Sequence, residues 1–564
     1  MDYKTRFKMW LDANLPDSVK AELAAVSTND EELRSRFGSD LQFGTAGMRG
    51  VMGVGSNRLN RYTVRRAAQG MAAWLASTEL PKRAAIGYDS RHNSQLFAQV
   101  CAVAFAEKGI QAYLFDRLAP TPMLSYAVRQ LNCGCGIVIS ASHNSGEYNG
   151  VKCYGPDGCQ MTDEPAAVVT QTIENIPYFV PEIKSFEEYL AEGKISYIDQ
   201  ELWNNYYDTV LAEAIDPELI RRAELKIVYT PLCGTGNEPV RAVLCRLGTE
   251  ISVVSCQENP DGDFKTCEYP NPETDAALNE SYKVAANTQC DVILGTDPDC
   301  DRVAIAVPEG SGFRKLSGNE LGCLLMDYIL KARSKMQNLP DNAIVVRSIV
   351  SSPLADRVAE AYGVTMKAVL TGFKYIGGEI LQLEQIGQEN RFVFGFEESC
   401  GYLKGTYARD KDAVVASMLV CEMAAHLKLQ NKTILDALNE LYDRYGFYLA
   451  KVQNVELSGA DAMEKAAKIM ADLRACSPNT IGGINVTAVR DYQSGTHYDV
   501  IAGTTAPIDL PKSNVLEYCL GTSGSVIVRP SGTEPKVKYY FTAVGKNEDD
   551  AEKTLKQMVL DMTK

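Results

Sequence analysis

The sequence predicts an α/β protein of several domains whose last part changes to α+β. Two observations carry that reading. Short apolar β-type runs alternate with helical stretches through most of the chain, and near the C-terminus strand-like runs follow one another instead. The chain is also too long, at 564 residues, for one hydrophobic core; at about 100–200 residues per domain it divides into roughly three to five.

Taken in order, AAIGY at 84–88 reads as a strand and 94–109 as the helix after it, and GIVIS at 136–140 is a further strand. LKIVY at 225–229 leads into the turn PLCGTG at 231–236 and a helix over 238–246. VIL at 292–294 and VAIAV at 303–307 flank an acidic loop, and AIVV at 343–346 precedes a helix near 353–362. Strands separated by helices make βαβ units and mostly parallel sheets. Beyond them VTAVR at 486–490, VIVR at 526–529 and VKYYF at 537–541 are strand-like, and a helix over 548–563 follows Asn547, a suitable N-cap. Boundaries fall near 207, 325 and 440, giving domains 1–207, 208–325, 326–440 and a smaller α+β domain 441–564.

Composition narrows the function. Apolar residues make up 45% and charged residues 23%, the mix of a soluble globular protein. The net charge of −15 argues against nucleic acid or an anionic membrane as the main partner. An anionic substrate would need basic residues concentrated locally. No obligate protein partner follows from the sequence. The N-terminal stretch has no long apolar run or small-residue cleavage site, and no segment approaches the ~18 apolar residues of a membrane span. The sixteen cysteines then read as reduced thiols, and the expected compartment is the cytoplasm. Cys133 and Cys135 lack the CxxC spacing, and the four histidines (92, 143, 426, 497) are far apart, so a zinc site is not expected.

Four segments suit phosphate chemistry. SASHNSGEYNGVK at 140–152 follows an apolar strand and puts Ser142 in a polar turn at the end where α/β proteins bind ligands, exposed to a crevice. It also suits a turn whose Asn and Gly serve the backbone. In TDPDCDR at 296–302, Asp297, Asp299 and Asp301 alternate between apolar strands. Three such carboxylates repel one another unless a cation holds them, and hard oxygen ligands suit Mg²⁺. Arg302 could orient a carboxylate or contact phosphate; a solvated acidic turn is the bland alternative. GFEESCG at 395–401 offers Glu397 and Ser399 for sugar hydroxyls, and TGFK at 371–374 adds a basic loop, both weak alone. RPSGTEP at 529–535 combines Arg529, two hydroxyls and the amides around a glycine into an anion cradle, or else forms a hairpin turn.

Together with FGTAGMRG at 43–50, these motifs resemble the α-D-phosphohexomutase family, in the same order and over nearly the whole chain. The forms FGTAGMRG and DPDCDR are most similar to the phosphoglucomutase branch that includes phosphopentomutase and glucose-1,6-bisphosphate synthase. The resemblance implies three similar α/β domains with mixed sheets and a smaller C-terminal α+β domain around a central cleft. It also implies a phosphoglucomutase that interconverts glucose 1-phosphate and glucose 6-phosphate through a phosphoserine and a glucose 1,6-bisphosphate intermediate. Phosphomannomutase and phosphopentomutase are the alternatives.

Residue by residue, the resemblance makes Ser142 the phosphorylated nucleophile, with His143 in its loop and Arg49 and Lys152 as acid/base candidates. It gives one Mg²⁺ the ligands Asp297, Asp299, Asp301 and the Ser142 phosphate. Glu397 and Ser399 read the sugar; Thr371, Gly372 and Lys374 form a second sugar-facing loop; Arg529, Ser531, Gly532 and Thr533 hold the phosphate that is not reacting. The chain departs from the family at Ser145, often proline, and at Pro298 and Cys300, often glycine. No ligand or nucleophile is lost, and Cys300, a soft thiol, reads as a packing residue. An aspartyl-phosphate enzyme using Asp297 and Asp299 is disfavoured by the serine motif and the third aspartate. A silent sugar-phosphate sensor is disfavoured by the intact chemistry, and no P-loop motif occurs.

Overall fold

The computed structural model describes residues 1–44, 47–457, 462–531 and 536–563. It divides into two compact units. The first comprises Met1–Gly318, Ile376–Gly395 and Ser399–Gln430; the second comprises Asn319–Tyr375, Phe396–Glu398 and Asn431–Lys564.

The first unit opens with three short helices, Tyr3–Leu11, Asp17–Val26 and Asp30–Phe37, which bury Trp10, Leu15, Leu23 and Phe37 in a small core of their own. A six-stranded sheet follows in the order Gly47–Val51, Tyr148–Tyr154, Cys135–Ile139, Arg83–Tyr88, Gln111–Leu114, Ile195–Tyr197. Its last four strands are parallel, and Tyr148–Tyr154 runs antiparallel to both of its neighbours. Cys135–Ile139 is apolar and wholly buried, as expected of a parallel strand covered on both faces. The helix Arg61–Ser77 starts at a capping box between Asn60 and Thr63, and packs on Ser94–Ala106.

The second sheet of this unit repeats the plan with five strands: Gly312–Lys315, Val303–Glu309, Val292–Thr296, Lys226–Thr230, Glu250–Val253. Lys226–Thr230 is parallel to both of its neighbours, and Val303–Glu309 returns antiparallel on Val292–Thr296. Both sheets are therefore mixed. In each, a buried parallel strand ends in a loop that folds straight back, and those two loops carry Ser142 and the three aspartates.

In the second unit Ile344–Ser348 pairs in parallel with Thr365–Val369, beside the helix Leu354–Ala361. A seven-stranded sheet follows in the order Phe447–Glu456, Lys536–Gly545, Gly524–Pro530, Leu516–Cys519, Ala488–Asp491, Thr496–Asp499, Thr504–Pro507, with each neighbouring pair antiparallel. The helix Glu548–Met562 begins where the Asn547 side chain accepts from the Asp550 amide, as the sequence predicts. Ile349, Val350, Leu370, Tyr492, Val515, Ile527 and Tyr540 form one buried apolar cluster. It places the loops after the two parallel strands against the sheet that carries Arg529. Among the described residues, no helix is long and apolar enough to cross a membrane.

Gly524 starts the strand that ends beside Arg529. Its φ is 132°, and a Cβ there would lie 1.9 Å from the Thr542 carbonyl oxygen. Gly524→Ala is expected to destabilise the second unit by about 1–3 kcal/mol, read as a lower urea midpoint.

Candidate active site

The loop after Cys135–Ile139 is built around a backbone exception. Ser142 has φ 52°, the left-handed region that a non-glycine residue occupies only when its surroundings impose it. The Ser142 amide donates to Ser140 Oγ at 2.8 Å, and the Asn144 amide to the Ala141 carbonyl at 3.2 Å. The hydroxyl of Ser142 donates to Asp297 Oδ2 at 2.7 Å and lies 3.1 Å from His143 Nδ1. Ser142 is only 3% exposed. The sequence predicts a side chain exposed to a crevice; the structure corrects that, because the aspartate loop folds against Ser142 and its hydroxyl donates a hydrogen bond to a carboxylate. Burial, then the nearby Arg302 and Arg49 charges, hold His143 well below the ordinary imidazole range, so the ring is neutral. Arg49 lies on Gly47–Val51 opposite Gly150, and its Nη1 donates to Asn144 Oδ1 at 2.9 Å.

The expected convergence of the aspartates is present. Asp297, Asp299 and Asp301 are buried, and one carboxylate oxygen from each lies within 4.8 Å of the others. The hairpin register Val303↔Thr296 forces a tight turn between them. Cys300 takes φ 54° and its amide donates to the Asp297 carbonyl at 2.9 Å. Asp297 Oδ1 accepts the Asp301 and Arg302 amides at 3.1 and 3.0 Å. Cys300 is fully buried, as a packing residue should be. Lys152 Nζ reaches Asp299 Oδ2 at 2.5 Å and Asp301 Oδ2 at 3.2 Å. Arg302 donates to Glu273 Oε1 at 2.6 Å and stands 3.8 Å from Asp301 Oδ1, so most of its charge is matched by the glutamate.

These groups titrate apart. Burial, reinforced by Asp299 and Asp301, pushes the Asp297 carboxyl well above the usual carboxylate range. Burial acts the same way on Asp299, but Lys152 outweighs it and holds Asp299 below that range. Asp301 is also lowered: burial and Asp299 oppose ionisation, and Lys152, Lys411 and Arg302 overcome them. Asp299 Oδ1 and Asp301 Oδ1 are buried and have no hydrogen-bond partner. Two orphaned carboxylate oxygens beside a third carboxylate are a hard-oxygen donor set, and it fits Mg²⁺.

Two further groups escaped the sequence reading. Thr121 Oγ1 donates to Asp299 Oδ2 at 2.9 Å. Lys411 Nζ stands 3.2 Å from Asp301 Oδ2 and 3.0 Å from Asp410 Oδ1. The signal for Lys411 was available: Arg409, Asp410, Lys411 and Asp412 are four consecutive charges directly before the apolar helix Ala413–Lys428, and all four are buried. Asp412 caps that helix through the Val414 amide at 2.7 Å, while its other oxygen accepts from Tyr206 and Tyr407 at 2.8 and 2.5 Å. The Ala413 amide donates to the Cys300 carbonyl at 3.3 Å, tying the helix start to the aspartate loop.

The second unit carries all but Ser399 of the described groups expected to meet sugar and distal phosphate. Glu397 ends the strand Phe392–Glu397 and accepts the Gly372 amide at 2.6 Å. Thr371 Oγ1 is buried without a hydrogen-bond partner, and Lys374 Nζ lies 5.1 Å from the Tyr375 ring. Glu398, not singled out from sequence, accepts from Ser348 Oγ at 3.0 Å. Arg529 sits opposite Lys538 and interacts with the Tyr540 hydroxyl. The Ser531 amide donates to the Lys536 carbonyl at 2.8 Å. Gly532 and Thr533 lie outside the described residues. Ser399 is part of the first unit.

Four family descriptions match the chain in order. They are phosphoglucomutase/phosphomannomutase alpha/beta/alpha domain I over residues 40–178, domain II over 204–310, domain III over 317–445 and the C-terminal domain over 454–561. A phosphoglucomutase of Staphylococcus epidermidis is 35% identical over 539 residues, covering 94% of this chain and 96% of that protein. Among solved structures, the open form of pp63/parafusin, a phosphoglucomutase from Paramecium, is similar with TM-score 0.69 at 16% identity, covering 93% of this chain and 95% of its own. A phosphoglucomutase/phosphomannomutase family protein from Burkholderia thailandensis gives TM-score 0.66 at 17% identity, covering 92% and 97%.

Removing one anionic oxygen tests the donor set. Asp301→Asn is expected to weaken Mg²⁺ binding at least ~10-fold by isothermal titration, about 1.4 kcal/mol, with the fold intact by circular dichroism. Equal affinity would contradict the site.

Proposed function

The chain belongs to the phosphoglucomutase/phosphomannomutase family and is a mutase, and we propose that it interconverts glucose 1-phosphate and glucose 6-phosphate through a phosphorylated Ser142. The observation that carries the reading is the 2.7 Å contact between Ser142 Oγ and Asp297 Oδ2, which joins a nucleophile and a metal-type carboxylate 155 residues apart. In this reading domain 1–207 supplies the nucleophile, 208–325 the metal loop, 326–440 the sugar loops and 441–564 the distal-phosphate loop.

The sugar hydroxyl attacks the phosphorus on Ser142. The new P–O bond to the sugar forms as the P–Oγ bond breaks; the sugar hydroxyl gives up its proton and Oγ receives one. Neutral His143, 3.1 Å from Oγ, is placed to give or take the proton at that atom. Arg49 and Lys152 supply positive charge, and either is a candidate for the proton at the sugar oxygen. Mg²⁺, held by Asp297, Asp299, Asp301 and the Ser142 phosphoryl group, would neutralise charge on the transferring group. The product of this half is glucose 1,6-bisphosphate, which also primes the unphosphorylated serine. After it turns over, its other phosphate returns to Ser142 by the same exchange.

Glu397 and Ser399 hold sugar hydroxyls, with Thr371, Gly372 and Lys374 beside them. Arg529, Ser531, Gly532 and Thr533 hold the idle phosphate by charge-assisted hydrogen bonds. Arg302 supports the aspartate loop. The acidic composition suits a cytoplasmic enzyme of hexose phosphates.

Three measurements test this. Ser142→Ala should lose nearly all activity in a coupled glucose 1-phosphate assay, and intact mass should show phosphate on the wild type alone; near-normal turnover in the variant would refute the mechanism. Arg529→Ala should lower kcat/KM at least ~10²-fold, about 2.7 kcal/mol of lost transition-state stabilisation. A kcat/KM comparison across glucose, mannose and ribose 1-phosphates should rank glucose first; another order would make the chain a phosphomannomutase or phosphopentomutase.

A further inference from the structure

Arg91 lies between the strand Arg83–Tyr88 and the helix Ser94–Ala106 and is only 3% exposed. Its guanidinium gathers four backbone carbonyls of the loop that carries Ser142. Nη2 donates to the Ser142 oxygen at 2.6 Å and to the Asn144 oxygen; Nη1 donates to the Ser145 and Tyr148 oxygens at 2.7 and 3.0 Å. Nε stands 3.3 Å from Asp89 Oδ2. Asp89 is fixed in turn, since its Oδ1 accepts the Arg91 amide at 3.0 Å and Ser94 Oγ at 2.7 Å.

The far side of the guanidinium is closed by Phe264, whose ring centre is 5.0 Å away. Phe264 is 2% exposed and has φ 49°. Its loop meets both the Arg91 loop and the serine loop at close quarters: His92 Nε2 is 2.6 Å from Asp263 Oδ1, and a Cβ on Gly146 would fall 2.7 Å from the Gly262 carbonyl oxygen.

We propose that Arg91, closed over by Phe264, is a positioning residue that holds the Ser142 loop in its reactive shape. This rests on Ser142 being the phosphoryl carrier. The carbonyls of so tight a loop repel one another, and would repel a serine phosphate if they turned towards it. Arg91 draws all four to a single cation behind the loop, while Ser142 Oγ projects to Asp297. The left-handed backbone of Ser142 persists because this fork and the Ser140 hydroxyl both fix it. Lysine cannot replace the fork, since an ammonium has three donors and no planar geometry. The partners of the Arg91 side chain are loop carbonyls, Asp89 and Phe264, whereas Glu397 and Arg529 belong to the other unit. Its loss should therefore misplace the reacting oxygen and spare sugar binding, and a displacement of about 1 Å at a reacting centre costs about 10²-fold in rate.

The test compares wild type, Arg91→Ala, Arg91→Lys and Phe264→Leu for kcat, KM and phosphate on Ser142 after incubation with glucose 1,6-bisphosphate. Arg91→Ala should lose ~10²-fold in kcat with KM changed less than about threefold. Added methylguanidinium should restore at least ~10-fold of that loss and leave wild type unaffected, an effect that damage to folding would not produce. Arg91→Lys should recover little, and Phe264→Leu should lower kcat ~10-fold. If Arg91→Ala does not accumulate folded, Arg91→Lys and Phe264→Leu decide by the same split. Unchanged kcat, a loss confined to KM, or no response to methylguanidinium would overturn the inference. A wild type that never acquires phosphate on Ser142 would overturn the underlying reading, and the inference with it. Normal phosphorylation of wild type beside an unimpaired Arg91→Ala would overturn the inference alone.

Discussion

Mutual repulsion among three buried carboxylates is the constraint around which the first unit is arranged. Two unit charges about 4 Å apart repel by about 4 kcal/mol at an effective dielectric near 20, and Asp297, Asp299 and Asp301 meet this close in one buried cluster. The chain brings counter-charge from three directions. Lys152 arrives on the return strand of the serine hairpin, Lys411 on the segment before a buried helix, and the Asp301 and Arg302 amides from the loop itself. Asp297 is left closest to the neutral state, and it is Asp297 that accepts the serine hydroxyl. The same imbalance leaves two oxygens open for a cation.

Positioning in the second unit is apolar. Leu370 precedes Thr371, Ile527 lies two residues from Arg529 on the same strand, and Tyr540 is the cross-strand partner of Ile527. A buried cluster thus anchors the backbone beside Thr371 and Arg529. One unit holds its chemistry by balancing charge, the other by packing under it.

The strands and helices were legible because their apolar runs are short, bounded by turns and locally determined. Ser142 and the three aspartates were legible because each group falls within one loop. What was not legible depends on contacts made far along the chain. Ser142 reads as exposed until Asp297 closes on it, and nothing local to residue 142 encodes that. Lys411 reads as one charge among four until the fold sets it against Asp301. Arg91 carries no signal at all in one sequence, since its partners are backbone carbonyls and any residue supplies those.

The late position of Lys411 gives the site an order in time. During synthesis Asp301 leaves the ribosome about 110 residues ahead of Lys411, roughly 5–20 s at ordinary elongation rates. Through that interval the nascent chain holds all three carboxylates and only Lys152 of the two lysines. The helix start at Asp412, whose tyrosine partners and Cys300 contact lock the segment in place, is equally absent. The first two sheets can form as they emerge, but the ground between them stays wet until the third stretch of chain delivers its cation, so the site's interior is among the last parts of the first unit to dry.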